Sequence, residues 1–150
     1  DQFTIQKSYL MDRIKICMGG YCAEKIVYGE TTTGTSNDIK QATTMAHRMV
    51  TEWGMSDLGF INLSDEGEPL FLGREITQHK DYSDETARRI DGEMNKILTS
   101  CMDETMDILT THRDPLDQLT EALVAKETLD DKEIREMFGF EAVQHVTDLR

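Results

Sequence analysis

Positive charge is scarce in this chain. Its 150 residues carry 16 Lys and Arg against 29 Asp and Glu, a net charge of −13. A nucleic-acid surface needs clustered cations to displace counterions, and so does docking on an anionic membrane, so neither partner is expected. Long apolar runs are missing as well: none approaches the ~18 residues of a membrane span, and no signal peptide opens the chain. The start, Asp1-Gln2-Phe3-Thr4, has no initiator Met and reads as the middle of a longer polypeptide. Cysteine is limited to Cys17, Cys22 and Cys101, an odd set without a C-x-x-C pair. Cys17 and Cys22, five residues apart, lie ~140° apart around a helix, poorly placed to bridge or to share a metal. Three buried, reduced thiols in a reducing compartment are expected. There is no H-E-x-x-H, no internal repeat and no low-complexity tract.

What is present fits one soluble globular domain, with 38% hydrophobic and 30% charged residues. Met11, Ile14, Met18, Cys22 and Ile26 recur at helical spacing and predict a first helix from about Thr4 to Tyr28, stopped by Gly29. Gly19-Gly20 should interrupt it, as a kink or a close approach of another backbone. A second helix is predicted from about Asn37 to Trp53, with Ser36 or Asn37 as its cap and Ile39, Ala42, Ala46, Met49 and Trp53 as its buried stripe. Phe60–Leu63 and Leu70–Leu72 flank an acidic turn and predict a short hairpin. That turn lacks the ligand spacing of a calcium loop and reads as solvated. Ser83 caps a long third helix, ~40 Å at ~1.5 Å per residue, whose stripe is Ala87, Ile90, Met94, Ile97, Cys101 and Ile108. Asp114-Pro115 ends it and opens a fourth, with Leu116, Leu119 and Leu123 inside. Asp130 with Glu133 forms a capping box for a last helix through Phe138, stopped by Gly139. The predicted fold is mainly α: a bundle of about five helices with one short β-hairpin, spanning 1–139, and a loose tail over 140–150.

The segment Gly29 to Trp53 is the most informative. A loop of threonine and glycine delivers Asp38 to the open mouth of a helix, where unpaired N–H groups and the positive dipole end favour an ionised carboxylate. Such a carboxylate can be a cap, a metal ligand or a base. Gly29 to Ser36 nearly matches the phosphate loop G-x-x-x-x-G-K-[ST], but Thr35 stands at the Lys position, Glu30 lies inside the loop, and the preceding segment is helical. His47, nine residues after Asp38 and half a turn around the helix, cannot share a metal with it and belongs to the polar face. Ser36, Ser56, Ser64 and Ser83 all sit at helix starts or turns, where capping accounts for them without nucleophilic chemistry. Met11, Met18, Met45, Met49 and Met94 lie on buried stripes as core filler.

Together, GGYCAEKIVYG, TTTGTSNDIKQAT, RMVTEWGMS, FLGR, SDETARRID and KETLD, in order from about Gln6 to Phe138, strongly resemble the C-terminal half of the peptidase domain of the FtsH family. These are membrane-anchored, ATP-dependent zinc metalloproteases. The resemblance implies a zinc site built from two His ligands and a Glu base on an H-E-x-x-H helix, completed by the Asp of an N-D pair. Here that pair is Asn37-Asp38, making Asp38 the third zinc ligand, with no catalytic residue in this chain. It implies that the H-E-x-x-H helix, the ATPase module with its ATP and magnesium, and the membrane segments fall before Asp1. The isolated chain is then expected to bind zinc weakly and cleave nothing. Unfolded or membrane proteins are the implied substrates and a homo-hexamer the implied assembly. The implied location is a cytoplasmic peptidase domain on a bacterial inner membrane, or an organelle membrane. In the family, helices like the third and fourth pack subunits into a ring.

Several positions depart from the family pattern. Tyr21 and His47 stand where Arg is usual, and Lys25 where a second Glu is usual. The segment Gly54–Phe60 is one residue short, with Phe60 in place of Pro. The resemblance implies that the first three fall on helices that in the family help build the hexamer, so they bear on subunit contacts more than on the metal. The rival reading is a non-catalytic helical interaction or assembly domain on the same scaffold, with Asp38 as a cap alone.

Overall fold

The computed structural model describes residues 4–64, 82–126 and 130–139. It contains α1 (Lys7–Tyr28), a short 3-10 turn (Thr33–Thr35), α2 (Ser36–Thr51), α3 (Asp84–Thr111), α4 (Arg113–Lys126) and α5 (Asp131–Phe138). The chain is mainly α, as its periodicities predict.

The core belongs to the first three helices, which pack against one another in every pairing. Leu10, Ile14, Met18 and Cys22 come from α1, Ala42, Ala46, Met49 and Val50 from α2, and Ile90, Ile97 and Cys101 from α3. The four α1 residues recur every four positions, one stripe along the helix. Burial pushes the thiols of Cys22 and Cys101 up in pKa, so both stay neutral. Cys17 is half-buried rather than in the core, and all three cysteines are free.

Helix ends follow local chemistry. Gly29 (φ 77°) and Gly139 (φ 72°) take the left-handed conformation that stops α1 and α5. The Ser83 side chain accepts from the Thr86 N–H at the start of α3, and Asp130 and Glu133 form the reciprocal capping box of α5.

The structure corrects several expectations. α1 begins at Lys7, not Thr4, and runs unbroken through Gly19-Gly20. A Cβ on Gly20 would meet nothing closer than the Thr35 Cγ2 at 3.9 Å, so no neighbouring backbone demands glycine there. The residue before α2 is Thr35, and neither Ser36 nor Asn37 caps it. Pro115 is the third residue of α4, not the first, yet still within the turn whose N–H groups have no helical acceptor. The predicted stripes outrun their neighbours at the ends: Ile39 and Ile108 are each 52% exposed, Trp53 39% and Leu123 41%. Buried instead are Val50, Thr51 and Thr105, the two threonines returning their hydroxyls to the His47 and Cys101 carbonyls at 2.8 and 2.7 Å.

The segment after α2 explains the burial of Val50 and Thr51. It folds back over the helix end, the Met55 N–H donating to the Met49 carbonyl (2.9 Å) and the Leu63 N–H to the Thr51 carbonyl (2.7 Å). Gly54 makes that reversal possible: its φ is 60°, and a Cβ there would stand 3.0 Å from the Gly59 oxygen. The Phe60–Leu63 arm of the predicted hairpin carries no strand. The acidic turn, Leu70–Leu72 and the tail Glu141–Arg150 lie outside the described residues.

Candidate metal centre

The path to Asp38 begins near the end of α1. The Thr32 N–H donates to Glu24 Oε2 (3.1 Å) and the Thr32 hydroxyl to Glu24 Oε1 (3.0 Å). The same Thr32 oxygen accepts the Gly34 N–H (3.3 Å). One carboxylate thus holds both donors of a residue eight positions on, and that residue caps the 3-10 turn. Thr35, buried at the end of the turn, hands the chain to α2. Hydrogen bonds to a charged acceptor are among the stronger ones, so the approach to α2 is fixed at its first step.

This loop also disposes of the phosphate-cradle reading. A cradle needs free backbone N–H groups, but those of Thr32 and Gly34 are spent on Glu24 and the Thr32 hydroxyl. The acceptor is itself an anion, which repels phosphate.

Asp38 is the third residue of α2, the sole acid of its first turn, and half-buried. Among the described residues its carboxylate has neither a hydrogen-bond nor an ion-pair partner. It therefore does not act as a hydrogen-bonded cap; what favours it locally is the helix dipole. Beside it opens an apolar groove of about 360 Å³, walled by Met18 and Tyr21 from α1, Ile39 and Ala42 from α2, and Leu98 and Met102 from α3. Ile39, expected in the core, is exposed because it forms this wall.

An unpaired, half-buried carboxylate on an apolar wall is a sound donor for a cation. Zinc needs three or four ligands at ~2 Å. Among the described residues no group of three His, Cys, Asp or Glu converges, so they offer one donor and not a complete site. His47 is half-buried rather than open to solvent and lies nine residues, ~14 Å along the axis, from Asp38. Of the serines, Ser83 caps α3, Ser56 Oγ accepts the Leu58 N–H (3.2 Å) and Ser64 donates to Asn62 (2.6 Å), all turn chemistry. Sequence reasoning missed Glu24 as the residue that holds the loop. Its position five residues before the Gly29 stop, ahead of a Thr-rich loop, was the available signal.

The pattern of peptidase family M41 matches residues 1–137. The chain is 49% identical over 150 residues to the ATP-dependent zinc metalloprotease FtsH of Borreliella burgdorferi, covering 99% of this chain and 24% of that protein. It is 42% identical over 138 residues to FtsH 3 of Symbiobacterium thermophilum (91% and 22% covered) and 38% over 142 residues to FtsH of Thermotoga maritima (94% and 23%). The chain spans about a quarter of the length of these curated relatives. Among the described residues no helix is long and apolar enough to cross a membrane. With the match covering nearly its whole length, the chain belongs to peptidase family M41, the FtsH-type peptidases that its motifs resemble.

Proposed function

We propose that Asp38 is a zinc ligand, and that this chain is part of a membrane-anchored, ATP-dependent zinc endopeptidase that degrades unfolded or membrane proteins. The observation that supports the ligand role best is the unpaired carboxylate of Asp38 on the wall of an apolar groove. Support for the activity comes from relatives named as ATP-dependent zinc metalloproteases. The other ligands, the general base and the ATPase belong to parts of the polypeptide beyond these 150 residues. Bound zinc would supply Lewis-acid polarisation of a scissile carbonyl and acidify the attacking water. This chain's share is to hold one charge in place. Glu24 and Thr32 set the turn, the carboxylate lies in the first turn of α2 at the positive end of its dipole, and Ile39, Leu98 and Met102 shield one side from water.

The test is Asp38→Asn in the full polypeptide. Zinc content should fall well below one per chain and casein digestion should stop, with the helical circular dichroism unchanged. Normal zinc and normal proteolysis would remove Asp38 from the site. The 150-residue chain by itself should bind zinc weakly and leave casein intact; stoichiometric zinc, or cleavage that a chelator stops, would overturn the division of the site proposed here.

A further inference from the structure

A second groove, of about 500 Å³, opens between α1 and α2 and reaches Asn37, next to Asp38. Its floor is apolar and aromatic: Tyr9, Leu10, Met45 and Trp53. Its charged lining is Arg13, Lys40 and Arg48, with no carboxylate among the described residues that line it. That is a marked departure in a chain where acids outnumber bases 29 to 16. The cations are held over the aromatic floor. Arg48 lies over the Trp53 ring at 4.6 Å and bonds Glu52 at 3.0 Å, while Arg13 reaches over Tyr9 to its hydroxyl. Lys40 has no partner among the described residues and is exposed.

We propose that this groove is a docking site for an acidic peptide segment of another polypeptide, one that places an apolar side chain on the floor and carboxylates against Arg13 and Lys40. Charge complementarity selects the occupant. A basic segment meets Arg13 and Lys40, and a neutral one leaves both uncompensated. Tyr, Trp and Arg are the side chains most enriched where binding energy concentrates, and here they share one groove. The net charge of −13 opposes an acidic partner, but at physiological salt screening confines that repulsion to charges within ~8 Å, so the local cations decide the contact. The site is separate from the metal-ligand reading of Asp38 and stands whether or not that reading holds.

Trp53 is the only tryptophan of the chain and serves as the reporter. The 150-residue chain is titrated with a capped peptide of glutamates bearing two leucines four residues apart, and with the same peptide carrying glutamine for glutamate. The glutamate peptide should move Trp53 emission to the blue in a saturable way and bind less tightly as salt rises. Arg13→Glu with Lys40→Glu should weaken it at least about tenfold, while Lys132→Glu on α5 leaves it unchanged. Equal binding of the glutamine peptide, indifference to the double reversal, or constant emission with no binding by peptide anisotropy would each overturn the proposal. So would sedimentation showing that second copies of the chain fill the groove and exclude the peptide. If circular dichroism finds the double variant unfolded, Lys40→Gln replaces it, and unchanged affinity there counts against the proposal.

Discussion

The helices divide into two regions held by different physics. α1, α2 and α3 share an apolar core to which each contributes three or four buried residues. α4 and α5 bury one large side chain between them among the described residues, Leu116, with Leu119, Ile134 and Met137 only partly covered. Arg113 donates to the Ile26 carbonyl (2.9 Å) and to Asp117 (3.0 Å), the His112 and Phe138 rings meet at 5.8 Å with a 41° tilt, and α5 is closed by its capping box. The difference shows where precision is needed. Asp38 stands on the region whose position is fixed by packing from two sides, while the other region is tied on at its edges.

The largest expected effect tests that division directly. Ile14 and Met49 are fully buried, and truncation leaves a cavity lined by two other helices. Ile14→Ala or Met49→Ala should cost about 2–5 kcal/mol and lower the unfolding transition of the whole three-helix unit. Leu116→Ala, at the edge where neighbours can collapse inward, should fall at or below the low end of that range. Denaturant unfolding of the three variants gives the ranking. If Leu116→Ala is the most damaging, the core is not where the packing places it.

Much of this was legible beforehand, for reasons that separate local from long-range effects. Ser83, Gly29, Gly139 and the pair Asp130–Glu133 act within four residues of themselves, so their types alone announce the helix ends. Ile14, Met18 and Cys22 of α1 were readable because a straight helix packed along its length keeps one face inward, but the ends of that stripe were not: Leu10 is buried where Met11 was expected, and Ile26 is half-buried. The ends of stripes were not readable, since Ile39, Trp53 and Ile108 depend on where a neighbouring helix stops. Burial of Val50 and Thr51 depends on the segment through Leu63 folding back, which no periodicity in α2 encodes. For the site, Asp38 at the α2 mouth followed from sequence. Glu24 did not, because its partner is eight residues away across a helix end.

Glu24 offers the next test, a polar clamp inside the well-packed region. Glu24→Ala removes both acceptors of Thr32 and should cost about 1–2 kcal/mol, discounted from a charged hydrogen-bond pair because the site is partly solvated. Its signature is local. Amide exchange at Thr32 and Gly34 should accelerate while core amides of α1 and α3 keep their protection. Uniform acceleration would mean that Glu24 supports the fold and not the loop. Arg113→Ala should cost less, at most about 1 kcal/mol, since the Arg113–Asp117 pair is partly exposed to solvent. It should raise exchange in α4 and α5 alone, and a matching rise in α2 would erase the boundary between the regions.

The smallest effect concerns an ion pair that closes the segment after α2 onto α3. Lys96 bonds Asp57 at 2.7 Å and Glu93 at 2.9 Å, and holds the Asp57 carboxyl below its ordinary 3.8. A native pKa below the unfolded one means the pair contributes above about pH 4, and the contribution fades as the pH drops through the depressed value. The Lys96 ammonium is raised above 10.5 by the same contact, so the contribution also fades at high pH, as that amine loses its proton. Both groups are exposed, so the stability at stake is slight and salt will shrink it further. Lys96→Met should return the Asp57 carboxyl toward its ordinary value, measured by its carbon chemical shift against pH, and barely move the unfolding midpoint at pH 7. A large loss at neutral pH would show that this surface pair, and not the Met49 and Thr51 carbonyls, pins the segment to the bundle.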